Sequence, residues 1–253
     1  MDLGLKGRRA IVTGGTKGIG RRVVDLLLSE GCDVGFCARN EKFVANALTE
    51  LKKSACRVVG GVADVTDNAV FRRWMQETIA TLGGLDILVA NASSLVSGAD
   101  ETAWQKGLDV DILGTVRAVE EALPHLEQSE CGSIVSVSST AAVNISGGVR
   151  AYSGVKAALI SYMSGISTNL ASKGIRANTV SPGAVYFEGG VWARNKTEDP
   201  ARYEMAVKRN PMGRFCTPEE VANGIVFLAS PAASYISGVN LVVDGAATTR
   251  IQY

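Results

Sequence analysis

Histidine, like-charge runs and long apolar stretches are all scarce in this sequence. A single histidine, His125, stands among 253 residues, and the five cysteines (Cys32, Cys37, Cys56, Cys131, Cys216) are scattered and never spaced Cys-x-x-Cys. A Cys/His zinc centre therefore has no ligand set, and no metal is expected. Lys plus Arg number 26 against 25 Asp plus Glu, leaving a formal net charge of +1 with no like-charge run beyond pairs. Nucleic-acid and anionic-membrane partners need a concentrated basic face, so neither is expected. No apolar run approaches the ~18 residues of a membrane span, and the opening MDLGLKGRR lacks the apolar core of a secretory signal. The expectation is a cytoplasmic protein whose cysteines act as small buried hydrophobes.

Hydrophobic residues, at 46%, and charged residues, at 20%, are in the proportions of a globular domain with a large core. No linker, repeat or low-complexity segment interrupts the chain, which reads as one unit, 1–253. Short β-branched runs at Arg9–Val12, Asp33–Cys37, Arg57–Val62, Ile87–Ala90, Ser133–Val137, Arg176–Val180 and Leu241–Val243 predict about seven strands. Helical patterns lie between them at Ile19–Ser29, Glu41–Lys53, Asn68–Leu82, Thr102–Leu126, Ala151–Ser172 and Pro218–Leu228. Continuous apolar strands alternating with helices predict an α/β fold: a single Rossmann-like, doubly wound parallel sheet with helices on both faces. The segment 183–212, holding Tyr186, Phe187, Trp192 and Tyr203, reads as one long irregular loop. Loops of that size are usually functional, and this one is expected to form a lid for a substrate with an apolar portion.

The stretch TGGTKGIG, residues 13–20, joins the first strand to the first helix. Gly14, Gly18 and Gly20 would allow a tight turn, close backbone approach to a pyrophosphate and helix–strand packing. A purely structural glycine turn remains the alternative, and a Walker A loop is excluded because no Gly-Lys-Ser/Thr closes it. After the second strand, positions 36–40 carry no acid to accept from a ribose 2′-hydroxyl. Arg39 stands there instead, and with Lys17 it points to a 2′-phosphate, hence NADP(H) rather than NAD(H). Two solvated surface charges would be the alternative.

Tyr152 and Lys156 are spaced i, i+4 at a helix start and so share a face. A nearby ammonium favours the phenolate, and Ser139 lies just past the carboxyl end of the fifth strand, where open α/β sheets bind ligands. With these motifs together, the chain resembles the short-chain dehydrogenase/reductase family, in its form of roughly 250 residues. The likeness runs from Lys6 to Ala247 and includes Asp64-Val65, Ser139 with Tyr152-Ser-Gly-Val-Lys156, Ile175–Gly183, Pro218–Ala222 and Gly238–Gly245.

The resemblance implies an oxidoreductase that reduces a ketone (3-oxoacyl, steroid or cyclic) or oxidises the corresponding secondary alcohol. Tyr152 would be the acid/base, Ser139 would hold the substrate oxygen, and Lys156 would bind the nicotinamide ribose. Asp64, Val65 and Asn91 would line the cofactor groove, with Pro182-Gly183 beside the nicotinamide. The cofactor set extends to Thr16, Ile19, Ala92 and Val185. Small residues on the helix Ala151–Ser172 (Gly154, Ala157, Ala158, Ser161, Gly165) fit the family's habit of pairing subunits there, which implies a homo-oligomer, dimer or tetramer.

Two motifs depart from the family pattern. Ala90-Asn91-Ala92-Ser93 replaces Asn-Asn-Ala-Gly, and Asp111 stands where relatives carry an asparagine. Asp111 flanks the stripe Trp104, Leu108, Ile112, Thr115, Val119, Ala122 and Leu126, so partial burial is expected. It would either stand in for the amide through its backbone carbonyl or pair with Lys156 and weaken the lysine's pull on Tyr152. On this view, Asp111→Asn should have equal or higher activity. Asp111 and Ala90 also motivate an alternative, an NADP(H)-binding regulatory protein with little turnover. A sugar-nucleotide epimerase is disfavoured, because the glycine spacing and short C-terminal region do not match extended relatives.

Overall fold

The computed structural model describes residues 1–145 and 148–249, so 146–147 and 250–253 of the expected unit lie outside the described residues. Its strands are β1 (Arg9–Thr13), β2 (Asp33–Ala38), β3 (Val58–Val62), β4 (Ile87–Ala90), β5 (Ser133–Val137), β6 (Arg176–Pro182) and β7 (Asn240–Val243). They form one seven-stranded sheet in the order β3-β2-β1-β4-β5-β6-β7, and every pairing is parallel. The order reverses between β1 and β4, which opens a crevice at the strands' carboxyl ends.

Alternation along each strand divides the core in two. In β1, Ala10 and Val12 join Val23, Val24 and Leu27 of α1 (Gly18–Ser29) and Val221, Ile225 and Val226 of α9 (Pro218–Ala229) on one face. Ile11 points the other way, into the cluster with Phe71 and Met75 of α3 (Asn68–Leu82), Val119 of α5 (Gly114–Leu126) and Leu159 of α6 (Ala151–Leu170). Helix α2 (Glu41–Leu51) begins at Asn40, whose side chain accepts from the Phe43 N–H, and α9 begins with a Thr217/Glu220 capping box.

Three expectations change. The predicted helix Thr102–Leu126 is not continuous: α4 (Glu101–Gly107) passes through a π-helical turn (Leu108–Leu113) into α5. A π turn bonds i to i+5, as the Gly114 N–H does to the Asp109 carbonyl, and so rotates the buried face. Val110 and Asp111 point inward, Asp111 at 1% exposure, while Leu108 and Leu113 are exposed. The 3.6-residue stripe thus fails at Leu108, and Asp111 is fully rather than partly buried. Secondly, residues 183–212 are not an irregular loop but carry α7 (Val191–Glu198) and α8 (Pro200–Arg209), the latter started by Asp199 and Pro200. Thirdly, only Cys32 and Cys37 are buried hydrophobes, with burial pushing both thiols up to about 12, whereas Cys56, Cys131 and Cys216 are half-buried.

The amino-terminal edge of the sheet is fastened by Asp86. Its carboxylate accepts from the Arg9 backbone N–H at 2.8 Å, from Arg9 Nε at 2.8 Å and Nη2 at 3.0 Å, and from the Ser129 hydroxyl at 2.6 Å. One side chain thereby joins the start of β1, the start of β4 and the approach to β5. Burial alone would push this carboxyl up, but the bonds from Arg9 and Ser129 outweigh it and hold Asp86 below its ordinary value of 3.8. A depressed carboxyl pKa stabilises above the unfolded value and ceases to do so as the pH falls through the folded one. Asp86→Ala is expected to lose about 3 kcal/mol at pH 7 in urea unfolding, a loss that shrinks below about pH 4.

Candidate active site

The turn between β1 and α1 is built on close backbone packing. Asn91, just beyond β4, donates its side-chain amide to the Thr13 carbonyl at 2.9 Å and the Gly14 carbonyl at 3.2 Å. The Thr13 hydroxyl oxygen in turn accepts from the backbone N–H groups of Asn91 and Ala92, each at 3.0 Å. The carboxyl ends of β1 and β4 are therefore stapled together, on either side of the crevice. Gly14 and Gly18 adopt φ of +71° and +55°, in the left-handed region that favours glycine. A Cβ on Gly20 would collide with the Gly14 carbonyl oxygen and the Asn91 amide. Lys17 precedes helix α1 as its N-cap and makes no side-chain cap bond, and the first turn holds no acid, an arrangement suited to an anion at the helix N-terminus. This glycine-lined cradle, with the Phe187 ring seated on Gly18, fits a dinucleotide pyrophosphate. Thr16 and Ile19 lie half-buried along the same turn.

The cations expected at a 2′-phosphate are both exposed. Arg39 follows β2, with its guanidinium 3.8 Å from Asp64 Oδ2, and the Lys17 ammonium stands 5.8 Å from the Phe43 ring centroid. Asp64 Oδ1 is occupied by Thr66, through its N–H and its hydroxyl. Val65 is buried, its side chain against Gly114 and its carbonyl accepting from Arg117 Nη1 at 2.8 Å. Gly183 continues β6 by donating to the Val243 carbonyl, and Val185 bridges to Cys216.

At the carboxyl end of β5, Ser139 caps a short 3₁₀ turn, its hydroxyl oxygen accepting from the Ala141 N–H at 3.2 Å and its proton free to donate. Tyr152 lies half-buried in the first turn of α6, its ring centroid 5.9 Å from the Lys156 ammonium. Lys156 is 2% exposed. Its Nζ donates to the Val137 carbonyl at 2.8 Å and stands 2.8 Å from Asp111 Oδ1. An ammonium has three donors; one goes to Val137, and the charge faces Asp111 Oδ1 as an ion pair without an aligned hydrogen bond, so donors remain for a ligand or for Tyr152. Asp111 Oδ2 accepts from the Ser94 N–H at 3.0 Å and the Ser94 hydroxyl at 2.7 Å. Burial works to raise the Asp111 carboxyl, but Lys156 and the serine bonds prevail and hold it below 3.8, so the pair is ionic. The pairing with Lys156, one of the two expected roles of Asp111, is present. Its backbone carbonyl is engaged by the Thr115 hydroxyl at 2.7 Å.

Known proteins resemble this chain both in sequence and in fold. The family model described as enoyl-(acyl carrier protein) reductase matches residues 14–248. Isoepoxydon dehydrogenase of Penicillium expansum is 35% identical over 100% of this chain and 99% of its own. The chain belongs to the short-chain dehydrogenase/reductase family. Another member, the cis-4-hydroxycyclohexanecarboxylate dehydrogenase of Sinomonas cyclohexanicum, is 36% identical over 95% of this chain and 96% of its own. Among solved structures of the family, an NADPH-bound short-chain oxidoreductase of Pseudomonas aeruginosa with an atypical catalytic centre superposes with a TM-score of 0.90. It is 32% identical and covers 96% of this chain and 98% of that one. The protein is thus an oxidoreductase of this family. Among the described residues no helix is long and apolar enough to cross a membrane, and no cluster of His, Cys, Asp and Glu is placed to hold a metal ion.

The aromatic residues expected to line a lid form a cluster around Phe215, with Tyr186 against Tyr203. Trp192 and Tyr203 meet Phe215 at ring-centroid distances of 4.7 and 5.2 Å, and Lys196 lies over both Tyr186 and Tyr203. Phe187 is the exception, because its ring seats on Gly18 and joins this segment to the glycine turn. Sequence reasoning missed Thr13, Ser94 and the Val137 carbonyl. Thr13 lies inside the quoted motif, but nothing in the spacing marks Ser94 or a backbone acceptor. Gly20→Ala is expected to weaken dinucleotide binding by about tenfold or more, since the turn must open to admit a methyl group. Fluorescence titration with NADPH reads that change directly.

Proposed function

We propose that the protein, as a single catalytic unit, is an NADP(H)-dependent oxidoreductase that reduces a ketone or oxidises the corresponding secondary alcohol. The observation that carries this reading is the convergence of Ser139, Tyr152 and Lys156 at the carboxyl end of β5, on the side of the sheet where the glycine turn lies. A bound nicotinamide dinucleotide would supply or accept the hydride. Ser139 donates its hydroxyl proton to the substrate oxygen and holds it beside Tyr152. Tyr152 gives its phenolic proton to that oxygen in reduction and takes it back in oxidation. Lys156 keeps a positive charge near the phenol and offers a free donor to the nicotinamide ribose.

Arg39 and Lys17, with no acid at positions 36–40, support the preference for the 2′-phosphorylated cofactor. The NADPH bound in the Pseudomonas relative agrees with it. The relative named for cis-4-hydroxycyclohexanecarboxylate favours a cyclic ketone or alcohol. Ala157, Ala158, Ser161 and Gly165 are exposed on α6 and suit a homo-oligomer, whereas Gly154 is taken up within the chain by Trp104.

The ionic Asp111–Lys156 pair favours a second reading, an NADP(H)-binding protein with little turnover, because a carboxylate beside the lysine offsets its charge near Tyr152. Titration with NADPH and NADH, followed by an assay on a panel of ketones, separates the two. NADPH is expected to bind at least about tenfold tighter than NADH, and Arg39→Ala should remove most of that difference; equal affinities would refute the cofactor assignment. NADPH binding without turnover across the panel would favour the second reading. Tyr152→Phe is expected to cut kcat by about a thousandfold or more while leaving NADPH affinity within about twofold. Retained activity would exclude Tyr152 as the acid.

A further inference from the structure

The segment that follows β4 is held in a conformation its residues do not favour. Leu95 has φ of +47°, a left-handed backbone that costs a branched-chain residue roughly 1 kcal/mol or more. Its side chain is nevertheless 57% exposed, so burial of the leucine does not offset that cost. What over-determines the segment is polar. Ser94, one residue before, gives both its N–H and its hydroxyl to Asp111 Oδ2, and the Ser93 hydroxyl accepts from the Leu95 N–H at 3.3 Å. Beyond Leu95, the Gly98 carbonyl accepts from the Ala151 N–H, next to Tyr152, at 3.0 Å. Leu95 thus lies between two clamps, one leading through Asp111 to Lys156 and the other to the start of α6.

Asp111 uses its two oxygens for different elements, Oδ1 for Lys156 and Oδ2 for Ser94. An asparagine has one acceptor oxygen, and its NH2 group would face either the ammonium or the Ser94 N–H, donor against donor. The carboxylate at this position is therefore required by both arms, which revises the expectation that Asp111→Asn would work equally well.

We infer that Asp111 is a positioning residue that ties the site lysine to the strained 93–95 segment, so that Leu95 is held at the crevice as a specificity-determining contact for substrate. The substrate half of this inference rests on the ketone reduction proposed above; the tether does not. Strain at an exposed residue beside a ligand crevice is what a held recognition element shows. In reduction Lys156 governs turnover and Leu95 governs fit, and the single carboxylate couples the two.

The test uses the full-length protein and four variants, Ser94→Ala, Asp111→Asn, Asp111→Ala and Leu95→Ala. Amide hydrogen exchange of the peptide spanning 93–98 reads the tether without any turnover. Asp111→Ala is expected to speed exchange there by about tenfold or more, and Asp111→Asn by less. If Asp111→Ala does not fold, Ser94→Ala, which keeps the ion pair, carries the test and should speed exchange about threefold. Unchanged exchange in the variants that fold would overturn the tether.

Steady-state kinetics with NADPH on cyclohexanone and on 4-tert-butylcyclohexanone read the second half. Ser94→Ala and Leu95→Ala are expected to change the ratio of KM values for the two ketones by about threefold or more, with kcat moving less than KM. Asp111→Asn should lower kcat as well. An unaltered KM ratio in both Ser94→Ala and Leu95→Ala would overturn the specificity role. Wild-type inactivity on both ketones would count against the proposed reaction and against the substrate contact of Leu95, while the exchange result would still decide the tether.

Discussion

The arrangement of the site depends on keeping one ammonium charged inside the protein. Lys156 is almost wholly out of water, and an isolated charge there would cost several kcal/mol or lose its proton. The chain meets that demand with a backbone carbonyl at the end of β5 and a carboxylate from the π turn, both within hydrogen-bonding distance. Neither partner is free to move. Val137 is locked in the sheet, and Asp111 is fixed by Ser94 and by the helix that carries it. The ammonium 5.9 Å from the Tyr152 ring centroid is held in place because these elements meet.

The two edges of the sheet divide the work of the molecule. At the amino-terminal edge, Asp86, Arg9 and Ser129 join strand starts through partly buried hydrogen bonds. At the carboxyl edge, glycines, a stapling asparagine and an unusual leucine backbone leave groups exposed for chemistry. The Thr13–Asn91 staple is the counterpart of the Asp86 knot. It joins neighbouring strands too, but does so with neutral groups that a bound phosphate would not repel.

Much of this was legible in the sequence. Apolar runs of β-branched residues between helical patterns gave the parallel sheet, because a strand covered on both faces needs no alternation. The glycine turn and the Tyr152–Lys156 spacing were visible because backbone approach and a shared helix face are local requirements. The π turn was not legible, since Leu108, Val110 and Ile112 are apolar alike and either hydrogen-bond register can be drawn through them. Nor was the order in 183–212, where polar residues hide two short helices whose aromatic residues, Trp192 and Tyr203, both pack on Phe215 beyond them. The Ser94–Asp111 contact joins positions 17 residues apart across two elements, with no periodicity to announce it.

The π turn makes the site depend on a count of residues as much as on their identity. In an α-helix each residue advances the face by about 100°, so removing one residue between 108 and 113 would restore regular winding and swing position 111 away from Lys156. Every side chain of the site would still be present in such a protein, and the lysine would be buried without its counter-charge. The extra residue in that turn is thus a structural element in its own right, one that a comparison of residue types at aligned positions would overlook.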